Sequence, residues 1–137
     1  MKQEYYAWHW LNVEPGDDVY YYSHGKIYKQ KMLHAKMYYE TREYCTGRKE
    51  TYMKYIVFEV VGKSNRKTKF RYDVSTSELE NGYGRDHNGN LRFSCLEAVK
   101  EYFEEKKKYA NALILYYNYL AEKNNKIIKK INNLLNI

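Results

Sequence analysis

Cysteine, proline and long apolar runs are all scarce in this chain, and each scarcity narrows what it can be. Cys45 and Cys95 are its only cysteines, far apart and without a CxxC pair. No signal-peptide pattern opens the sequence, so a reduced, cytoplasmic setting is expected rather than a disulfide-held secreted fold. The longest nearly uncharged apolar run, Tyr109 to Ala121, has 13 residues and contains two asparagines. That is too short to span a bilayer, and no membrane partner is expected.

Motifs with a recognisable chemistry are also missing. The histidines are His9, His24, His34 and His87, with no pair at the i, i+4 spacing of a helical zinc site. Asp86-His87-Asn88-Gly89-Asn90 has acidic spacing that suggests a calcium loop, but Leu91 stands where the sharp turn requires glycine. No GxSxG elbow and no GK[ST] phosphate loop occurs, and Gly82-Tyr83-Gly84 has no helix directly after it. Cys95 falls in the first turn of an expected helix, where the dipole favours a thiolate, yet a structural cysteine is the better reading. Asp17, His24, His87 and Cys95 are the positions around which an unrecognised active site would have to be built. The expectation is a protein that is not an enzyme, with no metal and no cofactor.

Gly, Ala, Arg and Pro together supply 20 residues, whereas Phe, Tyr, Met, Ile, Asn and Lys supply 63. The second group has AT-rich codons, which points to an AT-rich genome. Codon bias supplies lysine and tyrosine in number, but it does not decide where they fall. Between His24 and Tyr72 there are 13 Lys/Arg against 4 Asp/Glu, a surplus of +9 within a chain whose net charge is +7. The stretch is interleaved with tyrosines. Cations attract phosphate and aromatic rings stack on bases, so nucleic acid is the first partner to consider.

At 137 residues the chain is expected to be one domain, long enough to bury a core without staples. Residues 3–12 alternate, with Tyr6, Trp8 and Trp10 on one face, and read as a first strand. Glu14-Pro15-Gly16-Asp17 is a turn. Val19 to Ser23 and Ile27 to Leu33 read as a hairpin through Ser23-His24-Gly25-Lys26. Residues 34–44 fit either a continued strand or a short helix. Cys45-Thr46-Gly47-Arg48 is a further turn, followed by the run Thr51 to Val61, whose β-branched and aromatic block Ile56 to Val61 reads as a central strand, and by a polar turn over Gly62 to Lys67. A strand with one wet face, Thr68 to Val74, closes the series. Four to five strands over residues 3–74 thus form an antiparallel meander, residues 1–75 in all.

Residues 94–137 read as helical. Ser94-Cys95-Leu96-Glu97 has the form of a capping box. A heptad seam then runs through Phe103, Lys106, Ala110, Leu113, Tyr117, Leu120, Asn124, Ile127, Ile131 and Leu134. An unbroken helix over 95–136 would be about 63 Å long, against an expected radius of gyration of about 14 Å. A break near Asn124-Asn125 giving a helical hairpin is therefore the first expectation. A continuous helix that forms a homodimer through 103–134 is the alternative. The fold class is α+β: an antiparallel sheet followed by a long C-terminal helix or helical hairpin packed across it.

The candidate binding surface comprises Lys29, Lys31, Lys36, Arg48, Lys54, Lys67, Lys69, Arg71, Tyr38 and Tyr39. If their strands are neighbours, the cations form a stripe able to follow a phosphate backbone. The same pattern fits a solvated sheet face whose lysine stems lie over tyrosine rings. The expected function is a small, non-catalytic, basic binding protein acting on DNA or RNA. A phage or mobile-element regulator, or an inhibitor of host defence inside a bacterial cell, fits that class. The competing reading is a protein–protein inhibitor or adaptor. It would bind a nucleic-acid-processing complex through aromatic and basic surfaces, without touching nucleic acid.

Overall fold

The computed structural model describes residues 8–136, which divide between Lys100 and Glu101 into two units. The first is a six-stranded antiparallel sheet curled into a half-barrel. Strands β1 (Asp18–Ser23), β2 (Lys26–Glu43), β3 (Lys49–Val61) and β4 (Lys67–Asp73) form a meander. Strands β5 (Tyr83–Arg85) and β6 (Leu91–Phe93) form a short hairpin that pairs with β1, giving the order β4-β3-β2-β1-β6-β5. The chain reaches this hairpin through the four-residue helix α1 (Glu78–Asn81). The fold class is thus α+β, sheet first and helix last.

Local sequence accounts for the turns. His24 (φ 50) and Gly25 (φ 79) both adopt positive φ, the two-residue hairpin turn whose twist matches its strands. At Glu14 to Asp17, the Asp17 carboxylate accepts from the Glu14 N–H at 2.9 Å. Residues 34–43, ambiguous in sequence, continue β2 as strand. Beyond the Tyr38–Tyr55 pair neither β1 nor β4 flanks the hairpin, so residues 39–53 extend as a two-stranded arm.

The strand expected over residues 3–12 requires correction. Residues 1–7 lie outside the described residues, and Trp10–Asn12 form a 3-10 helix. His9 Nδ1 accepts from the Leu11 N–H at 2.9 Å and caps that turn. Trp10 then enters the half-barrel, where it is 1% exposed. Its ring lies 5.2 Å from Phe58, 5.4 Å from Phe70 and 5.6 Å from Tyr72. The aromatic spacing that imitates a strand here serves a plug. Val19, Met32, Ile56, Val60 and Leu79 complete the core around it.

The two edges of the curled sheet are bridged. Tyr72 Oη donates to the Gly84 carbonyl at 3.0 Å, and the His87 N–H donates to the Arg71 carbonyl at 2.9 Å. Burial raises the Tyr72 phenol far above its ordinary pKa, so it remains a donor at any physiological pH.

Helix α2 runs from Leu96 to Leu135 without interruption, 40 residues or about 60 Å. The break expected near Asn124-Asn125 is absent. Asparagine is only a moderately poor helix former, at most about 0.7 kcal/mol behind alanine, and no glycine or proline accompanies it. The capping box is also revised. The Ser94 hydroxyl donates to the Trp8 carbonyl, and the Ser94 N–H donates to Gly82 O at 2.7 Å. Cys95 holds the boundary position, its carbonyl accepting from the Val99 N–H at 3.3 Å.

Candidate nucleic-acid interface

The inner face of the half-barrel holds the core; the outer face of β2, β3 and β4 is wet. Register decides which side chains share that outer face. Across these three strands Lys31, Val61 and Lys67 form one row, and His34, Glu59 and Lys69 the next. Lys36, Val57 and Arg71 follow, then Tyr38, Tyr55 and Asp73. Lys29 joins the same side opposite Tyr20. β2 and β4 are therefore not neighbours, as a simple stripe would need. They flank β3, which separates their cations by two strand spacings of about 4.8 Å each.

A β-bulge makes this arrangement. Lys31 and Lys36 are five positions apart, and a regular strand would send them to opposite faces. The register steps from Met32↔Val60 to His34↔Glu59, leaving Leu33 as an extra residue on β2. The phase reverses there, and Lys36 returns to the face of Lys29 and Lys31. Six of the predicted cations, Lys29, Lys31, Lys36, Lys67, Lys69 and Arg71, then share one face with three carboxylates, Asp18, Glu59 and Asp73.

Those carboxylates are partly engaged. Glu59, with a side chain 14% exposed, sits 3.4 Å from His34 Nε2 and 3.7 Å from Lys69 Nζ. Arg71 Nε lies 3.8 Å from Asp73 Oδ1, its Nη2 3.1 Å from His87 Nε2, and its guanidinium 4.5 Å from the Tyr55 ring. Tyr38 and Tyr55 stack at 4.8 Å, with Lys36 Nζ 5.1 Å from the Tyr38 ring. Aromatic surface and cations thus alternate along the outer face.

The other predicted residues lie elsewhere. A second register shift at Tyr38/Tyr39 pairs Tyr39 with Met53, and Met53 packs against the core. Tyr39 directly follows Tyr38 on β2 and so falls on the opposite face, where its hydroxyl reaches Met37 Sδ at 3.7 Å. Lys54 pairs with Glu40 at 3.2 Å, and Arg48 lies in the turn that ends the arm. Arm residues 39–53 carry Arg42, Arg48 and Lys49 against Glu40, Glu43 and Glu50, a net charge of zero. Tyr52 donates to Glu40 and Tyr44 to Glu50, each at 2.8 Å, so the arm satisfies its own polar groups. Those contacts from Tyr52 and Lys54 hold the Glu40 carboxyl below the usual range.

Sequence reasoning passed over a buried polar chain. Asp86 Oδ1 accepts from the N–H groups of Asn88 and Asn90 at 2.9 and 3.0 Å, and Oδ2 accepts from Arg92 Nε at 2.7 Å. The oxygens that suggested a calcium loop are committed to backbone and guanidinium. Arg92 continues to Gln30 Oε1 at 3.1 Å and covers the Phe70 ring at 4.1 Å. The only prior signal was an arginine in an otherwise apolar Leu-Arg-Phe segment. Among the described residues, no group of three His, Cys, Asp or Glu is arranged to hold a metal. Burial pushes the Cys95 thiol up, and the Ala98 N–H only partly opposes it.

Comparison with known proteins gives no relative: no family model, no curated protein and no solved structure matches this chain. Its function has to be argued from its own geometry.

Proposed function

We propose that this is a non-catalytic binding protein of a reducing, cytoplasmic setting that holds the phosphate backbone of DNA or RNA on its outer sheet face. One observation carries the reading: the bulge at Leu33 gathers Lys29, Lys31 and Lys36 with Lys67, Lys69 and Arg71 on one side of the half-barrel. Stacked Tyr38 and Tyr55 stand beside them as a surface for bases. Recognition of this kind is electrostatic and largely independent of sequence.

The test is fluorescence anisotropy with labelled duplex DNA, single-stranded DNA and RNA at low and near-physiological salt. Saturable binding should weaken steeply with salt, by a slope of about 0.7 to 0.9 per phosphate contacted. The Lys67→Glu, Arg71→Glu double variant should bind about tenfold or more weakly, with a flatter salt dependence. Absence of binding at low salt would sink this reading and turn attention to an acidic protein partner.

A protein contact is favoured by a separate observation. Along α2 the seam residues Leu113, Tyr117, Ile127, Ile131 and Leu134 are all exposed. A second copy is the partner we assign to 103–134, since an apolar helical stripe is buried only by a second surface. Light scattering on a size-exclusion column reads the outcome directly, and a monomer at micromolar concentration would refute the pairing.

A further inference from the structure

The described residues do not fill the interior of the half-barrel to its end. Trp10 and its neighbours fill the middle, up to the Met32↔Val60 pair. Beyond that pair, toward the β1–β2 and β3–β4 turns, the inward residues become Gln30, Tyr21 and Tyr28. Gly62 offers no side chain; a Cβ there would stand 3.9 Å from Gln30 Nε2. A cavity of about 650 Å³ results, lined by Tyr21, Tyr28, Gln30 and the turn carrying Lys63 and Arg66. That volume suits a small ligand, and the mouth of a barrel is a common place for one.

Three features of its wall point the same way. Arg92, Tyr21 and Tyr28 form a stack, the guanidinium 5.5 Å from the Tyr21 ring and the two rings 5.0 Å apart at 18°. Tyr28 is its exposed end, 41% accessible, and faces the cavity as part of its lining. The floor is fixed, because Gln30 is buried and its Oε1 is held by Arg92, itself anchored on Asp86. The rim carries Lys29, Lys63 and Arg66, and among the described residues no carboxylate lines the cavity. An open aromatic stack wants a planar ring; a cationic rim without carboxylates wants phosphate.

We propose that the mouth of the half-barrel binds one nucleoside phosphate. Its base extends the Tyr21–Tyr28 stack, with an edge toward the Gln30 amide, and its phosphate meets Lys63 and Arg66. This site goes beyond the outer face: Tyr21, Tyr28 and Gln30 lie on the opposite side of the sheet from Lys67 and Arg71, and Lys29 at the rim is shared by the two. The ligand is either a free nucleotide or the phosphorylated end of a strand.

Nitrogen-15 NMR on the full chain tests this, with adenosine monophosphate, adenosine and inorganic phosphate as probes. The monophosphate should shift the amides of Tyr28, Gln30 and residues 62–66 saturably. Adenosine and phosphate each carry half the chemistry and should need at least about tenfold higher concentration. Tyr28→Leu and Arg66→Gln should each weaken the monophosphate about tenfold while leaving the remaining spectrum in place. A 5′-phosphorylated tetranucleotide that shifts the same amides at lower concentration identifies a strand end as the ligand. Tighter binding of the monophosphate identifies a free nucleotide. No saturable shift at those amides with millimolar monophosphate overturns the site, as does an unchanged titration in the Tyr28→Leu variant. The Lys67→Glu, Arg71→Glu variant should titrate with the monophosphate as wild type does. A failed pocket with intact oligonucleotide binding therefore leaves the outer face standing, and the converse result leaves the pocket.

Discussion

Tyr72 of β4 is 1% exposed and Tyr117 of α2 is 62% exposed, although both occupy apolar positions of strongly patterned segments. The contrast holds for the two units as wholes. Every buried hydrophobic residue from Trp10 to Ala98 belongs to the first, while described residues 101–136 contribute none and expose Leu115, Ile128 and Leu135. Curvature explains the first case: a curled sheet aims side chains from several strands at one point, and a plug such as Trp10 completes the core. A lone helix does the opposite. Its side chains diverge from the axis, so an apolar stripe is buried only by a second surface. Hydrophobic pattern states what a segment wants to meet; topology states whether the chain itself provides it.

The largest effect should come from the plug. Trp10→Ala removes the ring that touches Phe58, Phe70 and Tyr72, and should cost about 3–5 kcal/mol of unfolding free energy in a denaturant titration. A loss under about 1 kcal/mol would mean that the half-barrel core does not depend on it. Next is Asp86→Ala, which leaves Arg92 buried without its carboxylate and should cost about 3 kcal/mol. Asp86→Asn keeps an acceptor for the Asn88 and Asn90 N–H groups and should cost less.

The comparison sharpens on the helix side. Ile127→Asp should abolish self-association, seen as a fall in scattering mass to that of the 16.7 kDa chain. It should move the unfolding of the sheet by no more than about 0.5 kcal/mol. A substantial loss of sheet stability would show that the two regions are not independent.

The smallest effect concerns His9. Burial holds its pKa below the usual 6.5, with Glu80 opposing. The native state then binds fewer protons than the unfolded one, so this contribution is complete above about pH 6.5 and fades as pH falls through the folded value. Stability should decline slightly from about pH 7 to about pH 5. His9→Asn, which retains a capping acceptor, should remove that part of the slope.

Much of the sheet was legible because its signals are local. Alternation over Thr68 to Val74, the positive-φ turn at His24-Gly25 and the β-branched run at 56–61 each act within a few residues. The β5–β6 hairpin was not legible, since three-residue strands among Gly82, Gly84 and Gly89 carry too little alternation to register. Trp10 misled for a related reason: the spacing of Trp8 and Trp10 fits a strand, and only the hollow of the half-barrel makes a plug the better use. Of the candidate surface, the β4 cations were placed correctly on one face. That Lys36 joins Lys31 depended on an extra residue at Leu33 that no propensity marks. Lys63 and Arg66 were visible only as a polar turn, because what they enclose is set by residues more than 30 positions away.

Local residue patterns specify the period-two strands, the turns that join them and the apolar seam of the helix, since these follow from backbone sterics and side-chain spacing. The cationic surplus between residues 24 and 72 is likewise plain in the residues themselves. Tertiary structure alone decided which cations stand together, which tyrosines are rings in a core or open stacks, and where the half-barrel is left unfilled. Register, bulges and edge closure are agreements between distant segments, and no local pattern encodes them.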